Sequence, residues 1–143
     1  MQKKNRFGVS KVVLGLGVLL TFTALQWNSD SSAFPAYRQQ LVKQYHLVDK
    51  RVTCQYCHVK AGGGAPWNAF GQEVKALNKG NIANALYDVL ENDTDADKDG
   101  YKDALEVFAG TLPGDKASLP LVDAQTLETN FESSGGLELY QPE

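Results

Sequence analysis

Two cysteines and a histidine stand within five residues of one another in the middle of the chain. Cys54, Cys57 and His58 form a Cys-x-x-Cys-His pattern, which is typical of covalent haem attachment. Two thiols three residues apart on a helical turn can both reach the two vinyl groups on one side of a porphyrin. The histidine that follows can then bond the iron. The sequence therefore predicts one haem c, held covalently by Cys54 and Cys57, with His58 as an axial iron ligand.

Two other kinds of site share part of this pattern. A thiol–disulfide oxidoreductase uses Cys-x-x-Cys, but in a βαβ context that the sequence does not show. A plain disulfide across two residues would close a very small loop and would constrain the unfolded chain little. A structural zinc site would recruit His46 as its fourth ligand, yet the adjacent Cys57 and His58 are cramped for tetrahedral geometry. Haem is the preferred interpretation, and its two alternatives are a redox dithiol or disulfide and a zinc site.

The second axial ligand of the iron is less determined by the sequence. Met1 is the only methionine, and we expect it to leave with an N-terminal signal peptide. His46 is the only other histidine and is the first candidate. The other candidates are water or an open site, the α-amino group of Phe34, and the side chains of Asn68 and Lys60.

A second motif follows in the acidic stretch from residue 95 to residue 106, which fits the twelve-position calcium loop. Calcium binds six to eight oxygens, and alternating carboxylates on a tight loop supply them. The eighth position is Lys102 and no second loop exists, which favours a structural calcium ion, at an affinity of about 10⁻⁴–10⁻³ M, over a regulatory switch. A solvated acidic loop without metal is the alternative. The expected ligands are Asp95, Asp97, Asp99, the Tyr101 carbonyl, Asp103 through water, and Glu106.

Residues 1–33 are interpreted as a signal peptide, with 117–143 as an acidic, partly flexible tail. A basic start, an apolar run of about 14 residues and small residues before Phe34 are typical of export, whereas a membrane-spanning helix needs roughly 20 apolar residues. A retained N-terminal membrane anchor is the alternative. Removing 1–33 takes away four of the 14 basic residues and one of the 17 acids, which leaves a net charge of about −6. Such a charge argues against binding nucleic acid.

Apolar residues recur at three- and four-residue steps through most of the remaining chain, and no strand pattern is found. The sequence therefore predicts a mostly α fold: a small helical domain over 34–116, with a helix–calcium loop–helix end and an irregular C-terminal tail. The predicted helices cover 34–48, 54–60, 67–78, 82–91 and 102–109. The signal then fades: 119–131 is compatible with a loose helix, and Ser133-Ser134-Gly135-Gly136 is typical of a flexible linker.

Both motifs together resemble a bacterial monohaem c-type cytochrome. The resemblance is carried by Cys-x-x-Cys-His, the glycines that follow it, and Asn68-Ala69-Phe70-Gly71. The stretch from Asp95 to Pro113 is similar to a thrombospondin type 3 calcium repeat, although Lys98 stands where many such repeats have glycine. The resemblance implies a cytochrome c-like helical domain that acts as an exported, periplasmic electron carrier.

One-electron transfer without substrate turnover is therefore the expected function, and no enzyme activity is expected. A five-coordinate haem sensor that binds gases is the alternative, and a haem peroxidase is a third, for which His46 alone is thin support. The expected partners are redox proteins, a membrane respiratory complex among them. The acidic net charge favours a basic docking partner. The sequence does not determine an oligomeric state.

Overall fold

The computed structural model describes residues 33–143, with side chains from Pro35 onward, and its helices enclose one apolar core. Within this range the only extended pairing is an isolated antiparallel bridge between His58 and Trp67. The prediction of a mostly helical domain is confirmed. The α-helices are α1 Ala33–Gln44, α2 Ala69–Leu77, α3 Ile82–Glu91, α4 Asp103–Ala109 and α5 Ala124–Ser134, and short 3₁₀ helices cover Asp49–Arg51, Cys54–Tyr56 and Gly136–Tyr140.

Helix α3 lies at the centre of the domain. Its bounds match the predicted helix over 82–91, and the Asn81 side chain begins it by accepting hydrogen bonds from the N–H groups of Ala83 and Asn84. One face buries Ala85, Leu86, Val89 and Leu90. Helices α1, α2 and α4 all pack against α3. The Tyr45 hydroxyl, just after α1, donates to the Leu86 carbonyl at 2.6 Å, which ties the first helix to the third.

The C-terminal segment differs from the prediction, because residues 117–143 belong to the core. Asp123 caps α5 by accepting from the Thr126 N–H at 3.0 Å. Leu127, Phe131 and Tyr140 are buried, and the Tyr140 ring meets Tyr45 edge-on with 5.4 Å between ring centroids. Three apolar residues spread over 14 positions give a weak helical pattern, which is why the sequence predicted an irregular tail.

The Ser-Ser-Gly-Gly segment after Phe131 is likewise a helix end and no flexible linker. Ser133 and Ser134 donate side-chain hydrogen bonds to carbonyls one turn earlier in α5. Gly135 follows at the C-terminus of the helix with φ +122, a backbone conformation that glycine adopts without strain. The turn is what brings Tyr140 back to the core.

The signal peptide interpretation concerns residues 1–33, and all but the last of these lie outside the described residues. From residue 33 to the C-terminus, no helix has the length and hydrophobicity needed to cross a membrane.

The packing of α5 leads to a stability prediction. Phe131→Ala should lower the free energy of unfolding by about 3–5 kcal/mol, because it removes a buried aromatic ring and leaves a cavity. Leu121→Ala is the matched control, because Leu121 is fully exposed, and it should change stability by less than about 0.5 kcal/mol. Urea denaturation of both variants measures the difference. Equal stabilities would contradict the placement of residues 117–143 in the core.

Candidate haem cleft and calcium loop

An apolar cleft opens where the Cys-x-x-Cys-His segment faces helices α1, α2 and α3. Its volume is about 270 Å³. Cys54, Cys57 and His58 all line it, so the structure brings these three predicted residues together. The apolar part of the opposite wall is formed by Leu41, Val74, Ile82 and Leu86.

The cysteines lie on a short helical turn, as their spacing predicts. Thr53 caps this turn by accepting from the Gln55 N–H, and the His58 N–H donates to the Cys54 carbonyl at 2.9 Å. The two thiols are not joined in a disulfide. Burial raises the pKa of the Cys57 thiol to about 12, and the nearby Cys54 adds to the effect.

His58 is fixed in one orientation by the backbone. Its Nδ1 lies 2.7 Å from the Gly64 carbonyl oxygen, and a carbonyl only accepts, so Nδ1 carries the proton. A histidine held this way presents Nε2 as its metal-ligating nitrogen. The His58 ring is buried and lies against Trp67, with 4.1 Å between ring centroids.

The glycine-rich loop after His58 makes this hydrogen bond possible. Its two ends are held together because the Val59 N–H donates to the Pro66 carbonyl and the Asn68 N–H donates to the Cys57 carbonyl, both at 3.1 Å. Gly64 has φ +76, a value that glycine tolerates at little cost. The sequence allowed either a close approach to a porphyrin edge or a plain flexible loop here. The structure gives the loop the role of orienting His58.

Asn68 and Gly71 have roles that the sequence did not reveal. The Asn68 side chain accepts from the Gly71 N–H at 2.7 Å and donates to the carbonyls of Gln55 and Tyr56 at 2.8 and 3.2 Å. These bonds cap α2 and connect it to the cysteine segment, so Asn68 is unsuited to ligate iron. A Cβ at Gly71 would lie 1.9 Å from the Cys57 carbonyl oxygen. The signal that pointed to both residues was the Asn-x-Phe-Gly segment.

The structure does not bring His46 to the cleft. His46 is exposed, its Nε2 lies 3.0 Å from the Leu139 carbonyl, and it is not among the residues that line the cleft. This placement argues against His46 as the second axial ligand, and equally against a zinc site that needs it. Lys60 is also exposed and outside the cleft wall. The α-amino group of Phe34, which would arise only by cleavage after Ala33, stays a prediction.

The acidic loop connects α3 to α4 and has the turn expected of a calcium loop. Asp95 accepts from the N–H groups of Lys98, Asp99 and Gly100 at 2.7, 3.2 and 2.9 Å. Carboxylate oxygens of Asp95, Asp97 and Asp99 lie within 4.8 Å of one another. The loop therefore gathers three of the predicted ligands before any cation is considered.

Several oxygens in this loop are buried without a hydrogen-bond donor. They are both carboxylate oxygens of Asp97, one of Asp99 and Oε2 of Glu106. Glu106 is fully buried, and burial, followed by the charges of Asp99 and Asp97, raises its pKa to about 9. Burial and the neighbouring Asp99 raise the pKa of Asp97 in the same way. A cation would satisfy these oxygens and remove the repulsion between them, so the donor set fits calcium.

Asp103 connects α4 to the acidic loop through hydrogen bonds. Its two carboxylate oxygens accept from the Thr94 hydroxyl at 2.9 Å and from the Ala96 N–H at 3.0 Å. Asp103 is fully buried, and burial raises its pKa to about 7. Tyr101, whose carbonyl is a predicted ligand, donates its hydroxyl to the Val122 carbonyl at 3.0 Å. These contacts attach the loop to the segment that leads into α5.

No protein-family model, curated protein or solved structure matches this chain. The chemistry of the two sites is therefore argued from their own residues. The cleft offers two thiols and one oriented imidazole beside apolar walls, which suits a planar apolar cofactor that carries a metal. The acidic loop offers only oxygen ligands, which suit a hard cation.

The contact at Gly71 leads to a prediction about the cysteine segment. Gly71→Ala should destabilise the protein by about 1–3 kcal/mol or more, because the new methyl group meets the backbone of Cys57. Gly62→Ala is the matched control, since a Cβ at Gly62 meets nothing within 4 Å. Urea denaturation compares the two. A Gly71→Ala variant as stable as Gly62→Ala would contradict the close approach of α2 to this segment.

The acidic loop leads to a second prediction. At calcium concentrations of 10 to 100 times Kd, binding should stabilise the protein by about 1.4–2.7 kcal/mol, and a chelator should reverse the effect. Glu106→Gln should lose this response. In chelator it should be at least as stable as the unchanged protein, because a neutral amide replaces a carboxyl that resists ionisation.

Thermal unfolding with calcium and with chelator measures both effects. Glu91→Gln is the control, because Glu91 is exposed and stands before the loop, and it should keep the full calcium response. A Glu106→Gln variant that still gains stability from calcium would contradict the assignment of Glu106 as a ligand.

Proposed function

We propose that this chain is an exported monohaem c-type cytochrome that transfers one electron at a time and carries a structural calcium ion. The observation that carries the proposal is the orientation of His58. Its Nδ1 is bonded to the Gly64 carbonyl at 2.7 Å, in the wall of an apolar cleft that also contains both cysteines. An imidazole held in this way is preorganised to bind a metal through Nε2.

The residues of the cleft fit a covalently attached haem. Cys54 and Cys57 would hold it through thioether bonds, and His58 would ligate its iron. When bound, the haem supplies reversible one-electron chemistry, and its potential depends on the axial ligands and the surrounding polarity. The apolar side chains of Leu41, Ile82 and Leu86 would limit the access of water to its faces.

The order of the elements supports a small cytochrome c-like domain. An N-terminal helix precedes the cysteine segment, and α1 packs against α3 behind the cleft. The calcium ion would then stabilise the loop between α3 and α4. There Asp95, Asp97, Asp99 and Glu106 are the side-chain ligands.

Export supports the same function. The basic and apolar start of the sequence would direct the domain to the periplasm, where c-type haem is attached in bacteria. We expect redox proteins as partners, and a membrane respiratory complex is among them. A retained N-terminal anchor would place the same domain at the membrane surface.

A gas-binding sensor is the second candidate, and the position of His46 favours it. Because His46 is held at Leu139 away from the cleft wall, the chain has no second histidine for the iron. The nitrogen-bearing side chains that do line the cleft, apart from His58 and Trp67, are Arg38, Lys75 and Asn78. An iron site with one open position would bind carbon monoxide.

Visible absorption of the purified, reduced protein distinguishes these functions. The unchanged protein should show a low-spin haem spectrum that carbon monoxide leaves unaltered if it is an electron carrier. A high-spin spectrum that shifts with carbon monoxide would favour the sensor and contradict electron transfer as the function.

The attachment of the haem is tested with the same preparation. Cys54→Ala and Cys57→Ala should each lose covalently retained haem in denaturing gels stained for haem. Val59→Ala is the control, because Val59 adjoins His58 but is exposed and does not line the cleft, and it should keep the haem. Full retention in either cysteine variant would count against thioether attachment at that residue.

A further inference from the structure

Glu106 contacts two different parts of the structure through its two carboxylate oxygens. Oε2 is buried without a hydrogen-bond donor and is therefore the oxygen that is available to a cation. Oε1 accepts from the Thr111 hydroxyl at 3.4 Å, and the Thr111 N–H donates to the Glu106 carbonyl at 2.9 Å. The residue that would ligate calcium thus also holds the turn that follows α4.

This turn, residues 111–114, lies against the residue that begins helix α2. The Pro113 side chain is fully buried, which anchors the turn in the interior of the domain. A Cβ atom at Gly114 would lie 2.5, 2.6 and 2.7 Å from three atoms of the Asn68 side chain, so the backbone of the turn packs directly on that side chain. The same side chain donates to the carbonyls of the two residues between the cysteines.

A second contact joins the acidic loop to α2. The hydroxyl of Thr94, the residue before the loop, lies 2.9 Å from an oxygen of Asp103 and 3.0 Å from an oxygen of Glu73. Asp103 belongs to α4 and Glu73 to α2, so one hydroxyl connects the two helices. The acidic loop therefore reaches α2 at two places, through the 111–114 turn and through Thr94.

Helix α2 in turn holds the cysteine segment. Gly71 lies against the backbone of Cys57, and the Asn68 N–H donates to the Cys57 carbonyl at 3.1 Å. A continuous series of contacts thus runs from Glu106 through the 111–114 turn and Asn68 to Cys57. Because protein interiors are closely packed, such a series transmits a displacement at one end to the other.

We propose that calcium binding at the acidic loop controls the order of the haem-attachment segment, residues 54–58, with Asn68 and Gly114 as positioning residues between the two sites. The inference rests on the proposed function, which assigns calcium to this loop. Without the cation the carboxylates of the loop repel one another, so Glu106 and the turn that it holds are less restrained. Calcium removes this repulsion, and the turn then keeps Asn68 on the backbone of the segment. The two thiols and the imidazole are thereby held in the arrangement that haem attachment needs.

Amide hydrogen exchange, read by mass spectrometry of peptides, tests this coupling whether or not haem is attached. Calcium in excess over chelator should slow exchange in residues 54–71 at least about fivefold more than in residues 37–44. The second peptide is the reference, because α1 packs against α3 and lies outside the series of contacts. Equal slowing in both peptides would mean that calcium acts only on global unfolding, and it would overturn the inference.

A matched pair of glycine variants tests the contact between the turn and α2. Gly114→Ala places a methyl group on the Asn68 side chain, which can move only by giving up hydrogen bonds. The change alters no calcium ligand, yet it should lower the calcium affinity about fivefold, because coupling between two sites is reciprocal. Gly62→Ala is the control, since a Cβ at Gly62 meets nothing within 4 Å. Isothermal titration calorimetry measures both affinities, and equal values would overturn the inference.

Asn68→Ala tests the same contacts from the side of the cysteine segment. It removes the side chain that bonds this segment and leaves the acidic loop unchanged. Calcium should still slow exchange in residues 93–106 of this variant and should have no effect on residues 54–58. A calcium effect on residues 54–58 as large as in the unchanged protein would overturn the inference. If either variant fails to fold, the two peptides of the unchanged protein decide the question.

The results distinguish this inference from the proposed function. A protein that attaches haem and binds calcium, but shows equal slowing in the two peptides, would keep the proposed function and overturn the inference. A protein that binds no calcium would overturn the calcium assignment and the inference with it. Selective slowing of residues 54–71 in a protein without haem would support the coupling and contradict the assignment as a cytochrome.

Discussion

The approach of helix α2 to the backbone of Cys57 is the contact on which the rest of the cleft depends. Only a glycine at position 71 allows the two backbones to touch. The Asn68 side chain adds hydrogen bonds to the carbonyls of Gln55 and Tyr56. The same contact closes the glycine-rich loop, which then supplies the carbonyl that orients His58. A helix end, a loop and an imidazole are thus fixed together.

The acidic loop and α4 carry a different constraint. Asp103 and Glu106 are fully buried, and the ionised form of a buried carboxyl is unfavourable without a partner of opposite charge. Asp103 finds its partners in the loop backbone and Thr94. Glu106 keeps one oxygen without a donor, which is the strongest structural support for a cation there. Asp103 and Glu106 both belong to α4. The residues that suit calcium therefore also attach the acidic loop to that helix.

Local patterns in the sequence predicted much of this structure. They did not predict the features that depend on contacts between residues far apart in the chain. Helix α3 was predicted at its observed bounds because its apolar spacing and the Asn81 cap agree. The role of α5 was missed because Phe131 and Tyr140 reach the core only through tertiary packing. The placement of His46 depends on a contact with Leu139, 93 residues later, which spacing cannot reveal. The proximity of the cysteines to His58, and of the aspartates to one another, was predictable because it depends on neighbours in the chain.

The charge is divided unevenly along the described chain. The segment that contributes most of the cleft lining is basic, and the segment that carries the acidic loop is acidic. The central claim, that Cys54 and Cys57 hold a haem at this cleft, is tested most directly by the intact mass of protein purified from cells that mature c-type cytochromes. We expect one species, heavier than its polypeptide by one haem and stable to denaturation in acid. A colourless protein with the mass of the polypeptide alone would contradict the claim.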